Sequence, residues 1–137
     1  MASLGTHEAL VYLMVITSAS DRDMTDVELA RIGSVVRSWP VFEDFDSNRL
    51  IDIARACQKM LGGEGGLSSV LGRVRAAIPE RLHDTAYAMA FEVASADMEM
   101  RMEERRVLQL LRRDLAVDEA TVSAIERATK ARHRALT

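Results

Sequence analysis

Apolar residues recur at helical spacing along most of the chain. Leu50, Ile53, Ala54, Cys57 and Leu61 make one stripe of a 3.6-residue helix, and Leu67, Val70, Leu71, Val74 and Ile78 make a second. Between them lies Gly62-Gly63-Glu64-Gly65-Gly66, where repeated glycine supplies positive φ and costs too much backbone entropy to stay helical. The pattern predicts a tight turn there, too short for a domain linker. Residues 9–16, and residues 86–91 continuing into Val93 and Ala94, are apolar nearly all the way round, as in helices covered by neighbours on every side. These two are predicted to pack together at the centre. Ala86, Ala88, Ala90 and Ala94 allow close approach, and Leu10, Leu13, Met14 and Phe91 supply bulk. Pro79 ends one helix and opens the next, which should run from about Glu80 to Ser95. Alternating β-branched segments are almost missing, so the fold class is all-α.

A shift of 76 positions lays the sequence over itself. It pairs His7 with His83, Asp21 with Asp97, Met24 with Met100, Glu28 with Glu104, Arg37 with Arg113 and Val41 with Val117. Apolar positions keep the same register, Leu13 with Met89, Val15 with Phe91, Ile32 with Leu108 and Val35 with Leu111. One offset thus joins a buried helix, a polar loop and a second helix in each half. The expected architecture is two helix-loop-helix units, about residues 5–39 and 81–115, with the Leu50 and Leu67 helices between them. A last helix from about Asp118 to Arg132 makes seven.

Composition narrows the class without naming a function. At 137 residues, with 48% hydrophobic and 28% charged residues, the chain is expected to form one domain, residues 1–137. Its longest apolar run, residues 9–16, is far too short to cross a bilayer. The lone Cys57 excludes an internal disulfide and any multi-cysteine zinc site. No secretory signal pattern opens the sequence, so a bacterial-type cytoplasm is expected. A net charge of -3 argues against a protein that grips nucleic acid through its overall field. Self-association stays open.

Carboxylates cluster after each central helix. Asp21, Asp23 and Asp26 precede or begin the first amphipathic helix, which carries Glu28; Asp97, Glu99 and Glu103 do the same before Glu104. Thr25 to Glu28 spells a capping box, and acids near a helix start offset its dipole, which accounts for the first loop by itself. Arg101 stands where Thr25 stands in the first unit and cannot accept a capping bond, yet Glu104 is kept. That retention points to a job beyond helix initiation. A calcium- or magnesium-type cation could be held by such carboxylates with loop carbonyls and water. The EF-hand pattern is rejected, because the twelfth positions are Ile32 and Leu108 and the sixth are Asp26 and Met102. His7 and His83 read as helix-end packing, and Cys57 as a small buried hydrophobe. Met24, Met98, Met100 and Met102 crowd the loops; core filling suits Met24 and Met100, while the others suit a binding surface. The basic groups Arg105, Arg106, Arg112 and Arg113, and Arg127 to Arg134, read as a salt-bridged face and a helix C-terminus. No phosphate loop, zinc signature or catalytic triad is found, so no enzyme activity is expected.

The segments Thr17-Ser18-Ala19-Ser20-Asp21 through Glu28-Leu29-Ala30-Arg31-Ile32, and Val93-Ala94-Ser95-Ala96-Asp97 through Glu104-Arg105-Arg106-Val107-Leu108, carry a resemblance. The chain resembles the bacterial tellurite-resistance TerB-like family over nearly its whole length. The resemblance implies a helical domain with internal pseudo-symmetry, a role in tellurite or other stress response, and a metal-associated or scaffold protein. It also implies a protein partner, a membrane protein of the tellurite-resistance system, and a place in the cytoplasm beside the inner membrane. The family's usual Asp-Gly is here Asp21-Arg22 and Asp97-Met98, which changes the backbone angles open to each loop. By position, Asp21, Asp23, Glu28, Asp97, Glu99 and Glu104 are the candidate ligands for a divalent cation or a basic partner surface. The alternative is a metal-free helical scaffold that uses its methionine-bearing surface for protein contacts.

Overall fold

The computed structural model describes residues 4–19, 23–95 and 100–136. Among them the chain forms seven α-helices and no strand: α1 (Thr6–Ala19), α2 (Asp26–Ser38), α3 (Leu50–Leu61), α4 (Gly66–Ala77), α5 (His83–Ser95), α6 (Met102–Asp114) and α7 (Glu119–Arg132). Short 3-10 turns lie at Pro40–Phe42, Ser47–Arg49 and Glu80–Leu82. The repeat is visible in the element bounds, since α2 and α6 begin and end at positions that match under the 76-residue shift.

α1 is the hub. Every residue from Ala9 to Ala19 is buried, because the helix is bordered by α2, α3, α4, α5 and α6. A helix with no polar face has nowhere else to go, and each fully buried Leu or Ile contributes about 1.5–3 kcal/mol. α5 lies along α1 and buries Ala86, Met89, Ala90 and Ala94 completely. α3 and α4 cover another side of α1 with Ile53, Ala54, Cys57, Val70 and Val74, the stripes expected from their spacing. The glycine turn between them has Gly65 at φ 83° and Gly66 at φ 42°, where a side chain would be strained. α7 lies mainly against α5.

The helix predicted from Glu80 is divided. Residues 80–82 make a 3-10 turn after Pro79, and the α-helix starts at His83. The segment between α2 and α3, unassigned by periodicity, folds as two 3-10 turns. Pro40 opens the first, and Asp46 caps the second by accepting the Asn48 N–H at 3.0 Å. Phe42 and Phe45 from this segment form an aromatic cluster with His7, which closes that end of the core. No helix among the described residues is long and apolar enough to cross a membrane.

Candidate functional site

The two units meet at the junctions α1–α2 and α5–α6. Thr25 caps α2: its hydroxyl accepts the Glu28 N–H at 3.1 Å, and Glu28 Oε1 accepts the Thr25 N–H at 2.9 Å. The capping box read from the sequence is therefore formed. At α6 only its carboxylate half can form. Glu104 Oε1 accepts the Arg101 N–H at 2.9 Å, whereas the Arg101 side chain has donors alone and cannot accept in return.

The Arg101 guanidinium turns instead toward the first unit. Nη2 donates to the Ser18 carbonyl in the last turn of α1 at 2.5 Å and stands 3.7 Å from Glu28 Oε2. Nε lies 3.4 Å from Glu104 Oε1, and Nη1 lies 4.0 Å from Glu103 Oε2. Glu28 and Glu104 are buried, at 7% and 3% exposure, so their charges need partners close by. Among the described residues the helix starts, the cap N–H groups and the Arg101 guanidinium supply such partners.

The six candidate ligands divide. Glu28 and Glu104 come together on Arg101. Asp23 is exposed at the approach to α2. Asp21, Asp97 and Glu99 lie outside the described residues. Among the described residues no group of three His, Cys, Asp or Glu side chains is arranged to hold a metal ion. The Arg101 guanidinium lies beside both buried glutamates. Arg101 is the residue that sequence reasoning missed. Its signal was a positive charge at the register mate of a cap, three positions ahead of a retained glutamate.

Around this pair the surface is mixed. Asp26 is exposed, Glu103 is half-exposed at its side chain, and Val27 and Met102 are exposed at 60% and 81%. Met24 and Met100 pack partly against the core, as expected. Each helix start thus offers negative charge beside an exposed apolar side chain.

His7 and His83 serve packing. His7 Nε2 hydrogen-bonds with the Val41 carbonyl at 2.8 Å, and the ring nitrogens of His83 lie 3.0 and 2.9 Å from the Leu115 and Ile78 carbonyls. Burial pushes the Cys57 thiol up to about 12, so it stays protonated and unreactive at neutral pH. Two concavities, of about 450 and 500 Å³, lie at the opposite end of α5, one between Ala88 and Ala124 and one around His83 and Asp118. Neither touches the acidic junctions.

The family model for tellurite resistance protein TerB matches residues 7–128, which takes in α1 to α6 and most of α7. The chain belongs to the TerB family. No curated protein and no solved structure matches it. The matched span includes both units and the Arg101 junction, so the acidic end belongs to the TerB domain and is not an appendage.

Proposed function

We propose that this TerB domain serves tellurite-resistance-associated function as a non-enzymatic docking module, and that the end where α2 and α6 begin meets a basic segment of a protein partner. The observation that supports this reading is the surface there. Asp23, Asp26 and Val27 are exposed at the start of α2, Met102 and Glu103 at the start of α6, and sequence adds Asp21, Asp97 and Glu99 to the same loops. Charges of one sign steer a partner of the other sign, and apolar side chains beside them supply contact area. Methionine suits such a surface because it adapts to different partners. A membrane protein of the resistance system with a basic cytoplasmic segment is a partner of this chemistry.

A second reading is a calcium- or magnesium-type cation held by the loop carboxylates, supported by the oxygen ligands that such ions prefer. One experiment separates them. The isotope-labelled protein is titrated, in separate samples, with a peptide of alternating Leu and Arg and with calcium chloride, and amide shifts are followed by NMR. Docking predicts that the peptide moves residues 23–28 and 101–104 in the presence of chelator, and that Asp26→Lys with Glu103→Lys abolishes the effect. The same double variant should fail to restore growth on tellurite to a strain lacking the protein. Movement with calcium alone would transfer the assignment to the cation.

A further inference from the structure

We infer that His83 is a proton-operated clasp: with a hydrogen on both ring nitrogens it ties the ends of α4 and α6 to the start of α5, and the loss of one hydrogen releases one of those ends. The clasp lies away from the acidic junctions, so it stands or falls independently of the docking reading.

The two partners of the ring carry the argument. Nδ1 lies 3.0 Å from the Leu115 carbonyl and Nε2 lies 2.9 Å from the Ile78 carbonyl. A carbonyl oxygen only accepts, and a neutral imidazole has a single N–H. A neutral ring therefore donates to one carbonyl and turns a lone pair on the other, at a distance that leaves no room for a bridging water. The doubly protonated ring donates to both.

Charge around the ring points the same way. Ile78 and Leu115 close α4 and α6, so both carbonyls belong to the negative ends of helices, where a cation is favoured. With His83, the charged groups lining the concavity of about 500 Å³ are Arg75 from α4, Glu80 and Arg81 from the 3-10 turn, Asp84 from α5, Asp114 from α6 and Asp118 ahead of α7. The two guanidinium groups and the positive start of α5 oppose an imidazolium. Two helix ends and four carboxylates favour it.

The register mate shows what is particular to the second unit. His7 Nε2 bonds with the Val41 carbonyl, which a singly protonated ring can do, and the ring packs against Phe42 and Phe45. The mates of those phenylalanines are Asp118 and Thr121, which line the His83 concavity. The second unit thus exchanges an aromatic cover for a carboxylate and a hydroxyl, and sets its histidine between two carbonyls.

Two measurements on the full chain test this. In isotope-labelled wild type at about pH 7.5, where a free imidazole is roughly nine-tenths neutral, NMR of the ring nitrogens should find a hydrogen on both nitrogens of His83. Wild type and His83→Gln are then melted at intervals from about pH 6 to about pH 9. A group that folding protonates contributes stability that is fully present at low pH and is lost as the folded ring gives up its proton. The wild-type midpoint should therefore exceed that of His83→Gln by about 5 °C near pH 6, and the gap should shrink to about half or less near pH 9. The nitrogen spectrum needs no variant, so it decides the matter if His83→Gln does not fold. A His83 ring with a single hydrogen at that pH would overturn the inference, as would a gap in midpoint that stays constant across the range.

Discussion

α1 and α5 occupy matching places in the two units, yet their surroundings differ. α1 is enclosed by five other helices, and its residues are buried without interruption from Ala9 onward. α5 leaves one face to α7, and that face carries polar groups. Tyr87 donates its hydroxyl to Glu126 at 2.9 Å, and Glu92 pairs with Arg132 and His133. The register mates of Tyr87 and Glu92 are Val11 and Ile16, both fully buried. A duplicated plan thus tolerates a glutamate only where a neighbour can satisfy it. The helix placed at the hub must be apolar all round, and its mate can spend one face on recruiting an extra helix.

Substitutions at register mates probe how far the equivalence holds. Leu13 and Met89 correspond under the 76-residue shift, and both are fully buried. Leu13→Ala and Met89→Ala should each destabilise by roughly 3 kcal/mol, within the 2–5 kcal/mol usual for such truncations. Denaturant unfolding measures this. A cost below about 1 kcal/mol for Met89→Ala alone would show that the second unit repacks where the first cannot.

The exits of α2 and α6 diverge at one pair of mates, Pro40 and Ala116. Pro40 starts a 3-10 turn after the extended Trp39. Ala116 sits at φ 52°, and the Ala116 and Val117 N–H groups bond back to the Arg113 and Arg112 carbonyls at 3.1 Å, closing the end of α6. Proline cannot adopt a left-handed φ, so the same place sends the chain two ways. Ala116→Gly relieves the strain and should raise stability by roughly 0.5–1 kcal/mol. Pro40→Gly loosens the unfolded chain and should lower stability by a similar amount. Opposite signs at mated positions, read from chemical denaturation, are the expected outcome.

Much of this was open to reading in the sequence. The stripes of α3 and α4, the glycine turn, the two apolar helices and the Thr25 box all follow from local spacing, and local spacing is what a sequence displays. The 76-residue shift went further, because matched apolar positions also predicted that α2 and α6 would share bounds. Three features lay beyond it. The 3-10 turns over residues 40–49 are too short to show a stripe. The carbonyl partners of His7 and His83 come from Val41, Leu115 and Ile78 at the ends of other elements, which no helical spacing displays. Arg101 was legible as a residue unable to accept a capping bond, but its partner Ser18 is 83 positions away. A long-range contact of one side chain leaves no periodic trace.

The smallest effect sharpens the contrast between the two central helices. Burial raises the Glu92 carboxyl, but hydrogen bonds from Arg132 and His133 outweigh it and hold the group below its ordinary value of 4.5. A carboxylate depressed in the folded state contributes stability that is fully present above its unfolded pKa and is lost as pH falls through the folded one. Glu92→Gln removes that contribution, so the gap in melting midpoint between wild type and variant should be largest near neutral pH. It should shrink as the medium is acidified below pH 4.5. Arg132 and His133 are partly exposed, so solvent screens the pair and the gap should correspond to less than about 1 kcal/mol. No such gap can arise at Ile16, which has no charge to lose. A pH-independent difference for Glu92→Gln would mean that α7 is held on α5 by Val122, Thr129 and the Tyr87–Glu126 bond, with the charged cluster contributing nothing to the attachment.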